Sequence, residues 1–182
     1  MFSKTNHHYQ DERIRYLIVD CGFGRLLVAA TQHGICLTEI NDQDSALVKY
    51  LQARLPQATI EHLANDSELK NWADQARSHI DGECADWTAP LDVRGTAFQV
   101  SVWQHLVGIP VGQTKTYGQV ARAINRPSAS RAVGAAVGHN PIAIHIACHR
   151  VIGQKGALTG FRWGLGMKKQ ILAREGVISK DW

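Results

Sequence analysis

The segment TYGQVARAINRPSASRAVGAAVG, Thr116–Gly138, is the stretch on which the reading of the fold turns. It opens with Thr116-Tyr-Gly-Gln119, a threonine followed three residues later by glutamine. In that pattern the cap and the third helical residue satisfy each other's backbone N–H. A helix is predicted from there, with Val120, Ala121 and Ile124 inward. Asn125-Arg126-Pro127 ends it, because proline lacks an N–H and disfavours helix in the residue before it. Ser128 is a candidate cap for a second helix, Ala129 to Gly138. Two short helices joined by a tight turn form a helix-turn-helix, a spacing that many small helical domains share.

The second helix is more informative than the spacing. It is built of alanine, valine and glycine with one serine, Ser130, and Arg131 is its one charge. A helix that reads the major groove needs several long polar side chains to reach base edges. Small side chains instead let a backbone come close to another surface. Two readings stay open: tight packing in a core, or a helix lying in a minor groove without reading sequence, with Arg131 free to enter the base stack.

Downstream, Asn140-Pro141 turns the chain, and Ile142 to Ile146 reads as a short buried strand leading into Cys148-His149-Arg150-Val151-Ile152. A thiol reacts as its thiolate, and adjacent cationic or basic groups lower its pKa, so this placement predicts an activated nucleophile. Gly153-Gln-Lys-Gly156 and Thr159-Gly-Phe-Arg-Trp-Gly164 are bends whose amides can face a flat ligand, with Phe161 as an aromatic wall. A last helix, Leu165 to Arg174, is expected to turn Leu165, Ile171 and Leu172 inward. Glu175 closes it, where a carboxylate opposes the macrodipole. It is therefore either solvated or held by a partner, and His149 is a candidate.

Upstream, Thr96-Ala-Phe-Gln99 is a second capping box, opening a helix with Phe98, Val102, Trp103 and Leu106 inward that ends at Gly108. Glu83 to Pro90 reads as a linker. Before it, Ile14 to Val19, Leu26 to Thr31 and Ile35 to Ile40 read as three strands of an antiparallel meander. Helical spacing follows at Leu47, Val48, Leu51 and Leu55, and again at Leu69, Trp72, Ala73, Ala76 and Ile80. Asn65 with Glu68 is the expected cap of the second of these helices, and Gly82 its end. The class is α+β, in two domains, 1–90 and 91–182.

Composition narrows the function further. The formal charge of +4 leans toward a polyanionic partner without requiring one. Four cysteines without Cys-x-x-Cys spacing indicate neither a zinc ribbon nor a disulfide scaffold, which fits a reduced, cytosolic compartment. Cys21, Cys36 and Cys84 read as structural. No apolar leader opens the chain, and no apolar run approaches the roughly 20 residues that span a bilayer. His7 and His8 read as a solvated tail, since two ligands make no closed metal site.

IACHRVIG, Ile146–Gly153, preceded by SRAVGAAVGHNP and followed by GFRWGLGMKKQILAREG, closely resembles the O6-alkylguanine-DNA alkyltransferases. The likeness is nearest to the C-terminal half of the adaptive-response (Ada) proteins. It is strong over residues 91–176 and weaker through LVAATQHGICLTEI, Leu27–Ile40. Nothing resembles the zinc-bearing, transcription-activating domain of those proteins, so a stand-alone repair protein is expected. The resemblance implies a ribonuclease H-like N-terminal domain and a winged-helix-like DNA-binding domain. It implies a single, irreversible transfer of an alkyl group from O6-alkylguanine, and O4-alkylthymine, in duplex DNA to Cys148, with the base flipped out through the minor groove. No cofactor and no metal are implied, and a monomer is expected.

By the same resemblance, His149 acts as base through a water, Glu175 orients it, and Asn140 buttresses the turn before the active site. Tyr117 meets the 3′ phosphate and the flipped base, and Arg131 fills the gap left in the stack. Ser128, Ser130, Gly134 and Ala135 belong to the DNA-facing helix, while Val151 and Phe161 line the guanine pocket; relatives usually carry tyrosine at the latter. The departure that counts is Ala147, where the family has proline. Alanine restores an N–H that needs an acceptor if buried, and a reduced rate is expected. The related non-enzymatic proteins carry tryptophan at the position of Cys148. A papain-like hydrolase would need a histidine distant in sequence. A lesion-binding module with an unreactive cysteine is the alternative that a transfer assay separates.

Overall fold

The computed structural model of the chain describes residues 2–4, 9–83, 87–179 and 182. His7, His8 and Cys84 lie outside the described residues, as does the middle of the expected linker. Two compact units divide the chain, Met1–Thr96 and Ala97–Trp182.

The first unit runs β1 (Phe2–Lys4), β2 (Arg13–Cys21), β3 (Gly24–Thr31), β4 (Gly34–Asn41), α1 (Asp44–Arg54), β5 (Thr59–His62), α2 (Ser67–Asp81) and β6 (Val93–Gly95). Its main sheet has the order β4-β3-β2-β5. The expected meander pairs antiparallel, and β5 joins β2 in parallel. A separate parallel pair joins β1 to β6. Strands β3 and β4 are buried on both faces nearly throughout. They pack Leu27, Ala29 and Leu37 against Ile14 and the Leu47 and Leu51 face of α1. Burying such side chains contributes roughly 1.5–3 kcal/mol each, which is what fixes the register.

Two local expectations need correction here. Helix α2 is capped by Asp66, not Asn65: the Asp66 Oδ1 accepts the Leu69 N–H at 2.9 Å. Glu68 turns away to Arg15, at 3.1 Å. The described part of the linker is not free chain. Thr88 N and Ala89 N both donate to the Gln75 Oε1, and Ile35 N donates to the Pro90 carbonyl at 2.8 Å. Gly34, with φ +145°, lies so close beneath Pro90 that any side chain would collide with its carbonyl.

The second unit runs α3 (Ala97–Val107), β7 (Lys115–Thr116), α4 (Tyr117–Ala123), α5 (Ser130–Gly138), a 3-10 turn (Cys148–Arg150), β8 (Val151–Ile152), a second 3-10 turn (Gln154–Gly156) and α6 (Gly164–Arg174). The box at α4 is complete. Gln119 N donates to the Thr116 Oγ1 and Thr116 N to the Gln119 Oε1, at 3.2 and 2.7 Å. Its β pairing is a short parallel ladder of β7 with β8. Trp103 on α3 donates its indole N–H to the Ala136 carbonyl at 2.9 Å and so anchors α5.

Four expectations change in this unit. In α3, Val100 is buried while Phe98 is only half-buried. Ser128 is exposed and caps nothing; α5 starts at Ser130 with no side-chain cap. Leu165 is 45% exposed; α6 buries Ile171 and Leu172 as expected, and Lys168 takes the third inward place. Ile142 to Ile146 is not a strand but a buried turn, with only an isolated bridge between Ala143 and Ile146. Among the described residues no helix is long and apolar enough to cross a membrane.

Candidate active site

The site grows out of that buried turn. Asn140 is 2% exposed, and its amide does the work of missing backbone partners: Nδ2 donates to the Ile146 carbonyl at 2.7 Å, and Oδ1 accepts the Ile142 N–H at 2.9 Å. Ile146 N donates back to Ile142 O at 3.0 Å. The loop so closed holds Ile144 at φ +71°, a conformation unfavourable for a β-branched residue. Ala147 then centres an inverse γ-turn, φ −66° and ψ 57°, closed by the Cys148 N–H on the Ile146 carbonyl at 2.6 Å. These two tight turns aim Cys148.

Cys148 is 7% exposed and lies in the wall of a cavity of about 310 Å³ that Tyr117, Gly134, Asn140, Phe161, Arg162 and Trp163 also line. Phe161 and Trp163 meet edge to face, with centroids 5.4 Å apart. The Thr159 hydroxyl donates to the Tyr117 hydroxyl oxygen at 3.3 Å.

The electrostatics depart from the expectation that neighbours in sequence activate the thiol. Burial pushes the Cys148 thiol up. What works against burial is the Asn140 side chain, then Arg162, Lys168 and the Ile144 N–H, not His149 or Arg150. Arg150 is committed elsewhere. Its guanidinium forks onto both Glu175 oxygens, at 2.9 and 2.7 Å, and donates to the Ile109 carbonyl at 2.5 Å. Burial alone would raise the Glu175 carboxyl; hydrogen bonds from His149 and Arg150 reverse that and bring it down to about 2.

An ionised Glu175 only accepts, so His149 Nε2, 2.8 Å from it, must carry the hydrogen. His149 is fully buried, and burial lowers its pKa despite the carboxylate. The ring is therefore neutral, and its Nδ1 is a bare lone pair without a hydrogen-bond partner among the described residues. That is the protonation state a general base requires.

Of the residues singled out in the sequence, the fold brings Tyr117, Gly134, Asn140, Cys148 and Phe161 to one cavity, with His149 and Glu175 linked behind it. Val151 is not in the cavity wall; it is fully buried in β8 and gives its carbonyl to Lys168. On α5, Val133, Ala136 and Val137 are buried, while Arg131, Ala132 and Ala135 are exposed, as is Ser128 before it; Ser130 and Gly134 are half-buried. The packing reading of this helix thus holds for one face, and a smooth face of small residues is left open on the other.

Residues 97–177, nearly all of the second unit, match the family described as 6-O-methylguanine DNA methyltransferase, DNA binding domain. The inducible methylated-DNA–protein-cysteine methyltransferase of Bacillus subtilis is 39% identical over 149 residues, covering 81% of this chain and 82% of that protein. The chain belongs to the methylated-DNA–protein-cysteine methyltransferase family. The bifunctional transcriptional activator/DNA repair enzyme Ada of Escherichia coli is 41% identical over 169 residues, 93% of this chain but 47% of that protein. The chain thus spans about half the length of such a relative. A crystal structure of Mycobacterium tuberculosis OGT in complex with DNA superposes with a TM-score of 0.71 at 35% identity, covering 90% of this chain and 92% of that one.

Four groups of this member of the methyltransferase family escaped the sequence reading. Arg150 read as an activator of the thiol and is instead the counter-ion of Glu175. Trp163 was quoted only as part of a bend. Arg162, whose guanidinium donates to the Gly138 and Asn140 carbonyls at 3.3 and 2.9 Å, fastens the end of α5. Lys168 lay in a helix whose inward face had been assigned to leucine and isoleucine. Only its position one turn before Ile171 and Leu172 signalled that it points inward.

Proposed function

We propose that this chain repairs alkylated DNA by direct reversal, moving a methyl or other alkyl group from O6 of guanine, and from O4 of thymine, onto Cys148. The observation that carries the proposal is a buried cysteine in a base-sized cavity, followed by a neutral histidine with an unclaimed Nδ1. The cavity volume falls at the lower end of the roughly 300–1,000 Å³ of small-molecule sites. A base in duplex DNA reaches such a cavity only by leaving the stack, which costs a few kcal/mol and least for a poorly paired lesion.

In the step itself, His149 takes the thiol proton through a water, held in the right tautomer by Glu175. The thiolate attacks the alkyl carbon in line. The S–C bond forms as the C–O6 bond breaks, its electron pair passes to guanine, and guanine takes up at N1 the proton that His149 accepted from the thiol, relayed through water. Hydrogen bonds to the leaving oxygen and ring nitrogens lower the barrier, with Tyr117 against the base and Phe161 stacked on it. The product is a thioether, which water does not cleave, so each molecule acts once. The step uses no cofactor.

The open face of α5 lies in the minor groove in this reading, with Ser128, Ser130, Gly134 and Ala135 against sugar and phosphate and Arg131 in place of the extruded base. Family membership and the DNA-bound Mycobacterium tuberculosis relative support duplex DNA as partner. We place the protein in the cytoplasm, acting as a monomer.

The test is transfer of a radiolabelled methyl from O6-methylguanine in an oligonucleotide to protein on a denaturing gel. One methyl per chain, lost in Cys148→Ala, is expected. A gel shift of the DNA without label on the protein would leave a lesion-binding module and sink the proposal.

A further inference from the structure

Gly118 is the second residue of α4, a place where neither backbone nor packing calls for glycine. Its φ is negative, as in any helical residue. A methyl group there would meet nothing closer than the Ser130 Oγ at 3.6 Å and the Arg122 Nη1 at 3.8 Å, both ordinary contacts. Glycine weakens a helix relative to alanine. What the missing side chain does provide is open space between a guanidinium and a hydroxyl.

Arg122 lies one turn after Gly118, and long helical side chains lean back toward the N-terminus. Its guanidinium therefore hangs over the first turn of α4. Ser130, the first residue of α5, brings its hydroxyl to the same space. Neither side chain has a hydrogen-bond or ion-pair partner among the described residues. The shortage of partners is written into the sequence. Of the sixteen acidic residues fourteen precede residue 97, while eleven of the twenty lysines and arginines follow it. The second unit is left with Glu175, committed to His149 and Arg150, and with Asp181, outside the described residues. In the first unit Arg13, Arg15, Arg25, Arg77 and Arg94 all have carboxylate partners. Arg122 is exposed and has none. A guanidinium beside a hydroxyl, with no carboxylate to claim it, matches the oxygens of a phosphate. The space also has a telling address. Tyr117, one residue earlier, lines the cavity of Cys148, and its ring lies against Gly134 of α5.

We infer that Arg122 and the Ser130 hydroxyl form a phosphate site over Gly118, and that it holds the backbone of the lesion strand beside the extruded nucleotide. The second clause rests on the alkyl-transfer reading; the phosphate site itself does not. Arg122 takes no part in making or breaking bonds. It fixes the strand next to Tyr117, and it carries no sequence information, because a phosphate is the same at every base. Gly118 keeps the space open.

The experiment compares the whole chain with Arg122→Ala, Arg122→Lys and Gly118→Glu, by thermal melting and by fluorescence anisotropy on an undamaged duplex at several salt concentrations. In Arg122→Ala the affinity at low salt is expected to fall about tenfold. The slope of log affinity against log salt is expected to become shallower by about one. Arg122→Lys should keep the slope and lose part of the affinity, since lysine meets a phosphate only as a point charge. Gly118→Glu should fold, because a carboxylate suits the first turn of a helix. It should also pair with Arg122 and lose at least as much affinity as Arg122→Ala. An unchanged slope in Arg122→Ala, or wild-type affinity in Gly118→Glu, overturns the phosphate site. Its place on the strand is read from methyl transfer out of O6-methylguanine duplexes in which one phosphate at a time is replaced by a neutral methylphosphonate. One replacement beside the lesion should slow the wild type about tenfold and leave Arg122→Ala no slower than before. Equal slowing of both proteins at every position overturns the placement beside the extruded nucleotide. Should no label reach Cys148 in the wild type, the transfer reading falls, while the salt slope still decides the phosphate site.

Discussion

At Glu175 one carboxylate serves two residues, and the balance between them can be measured. It fixes the His149 tautomer and is the counter-ion of the largely buried Arg150. Glu175→Gln therefore strands a guanidinium, and removing one partner of such a pair costs about 3–5 kcal/mol. Urea unfolding should register that loss together with slower methyl transfer. A loss below about 1 kcal/mol would mean the carboxylate is not ion-paired. Ala147 leads to the opposite expectation. Its φ of −66° is the value proline imposes, and its buried N–H has no acceptor among the described residues. Ala147→Pro should stabilise the protein by about 1 kcal/mol; since the alanine already holds proline's φ, the transfer rate should change little, against the reduced rate that its side chain alone suggested, and a fall in melting temperature would show that the γ-turn cannot take the ring. Cys148, His149 and Glu175 were legible in the sequence because their chemistry is rare in that order. Lys168 was not, since a lysine in an amphipathic helix ordinarily faces water and only the packed fold shows otherwise.

Among the elements, those with a clear period were legible. The strands β2 to β4 alternate or run apolar between glycine turns, and α2 carries its full apolar face. β5 was missed because Thr59-Ile-Glu-His62 is short and nowhere fully buried, so it shows no alternation. The Ile142–Ile146 run was misread because apolar composition says buried and not which backbone conformation. Two predictions belong to helices. Thr116→Ala removes the reciprocal cap of α4 and should cost about 1 kcal/mol in chemical unfolding; a neutral result would deny the box any energetic role. On α5, Ala135→Glu puts an anion on the exposed small-residue face. Stability should barely change while duplex affinity falls about tenfold or more at low salt. Unchanged affinity in a filter-binding titration would remove α5 from the DNA interface.

For the whole molecule the decisive variable is pH. Glu175 sits near 2 in the folded chain against an ordinary 4.5. Between those values the unfolded chain binds a proton that the native one refuses. Its contribution, on the order of 3 kcal/mol, is present above pH 4.5 and lost as the pH falls toward 2. His149 adds to the same slope from its ordinary 6.5 downward, because burial keeps the native ring neutral. Lys168 acts at the other end: held near 8 against 10.5, it makes stability rise as the pH climbs between those values. Equilibrium unfolding across pH 2–10 should show both flanks, and an acid limb that is unchanged in Glu175→Gln would rule out this origin. In the proposed reading DNA is held through its phosphates, so its affinity should fall steadily with added salt.

The Ile144 turn behaves as a loaded spring. A β-branched residue at φ +71° stores on the order of 1–3 kcal/mol, and the two hydrogen bonds of the Asn140 amide are its latch. Releasing the latch with Asn140→Ala would not simply subtract two bonds. The turn would uncoil toward an ordinary conformation and carry the sulfur off its aim, so transfer should collapse far more than global stability does. Hydrogen exchange would show it as amides of residues 142–148 opening early, with those of β2 to β4 as slow as before.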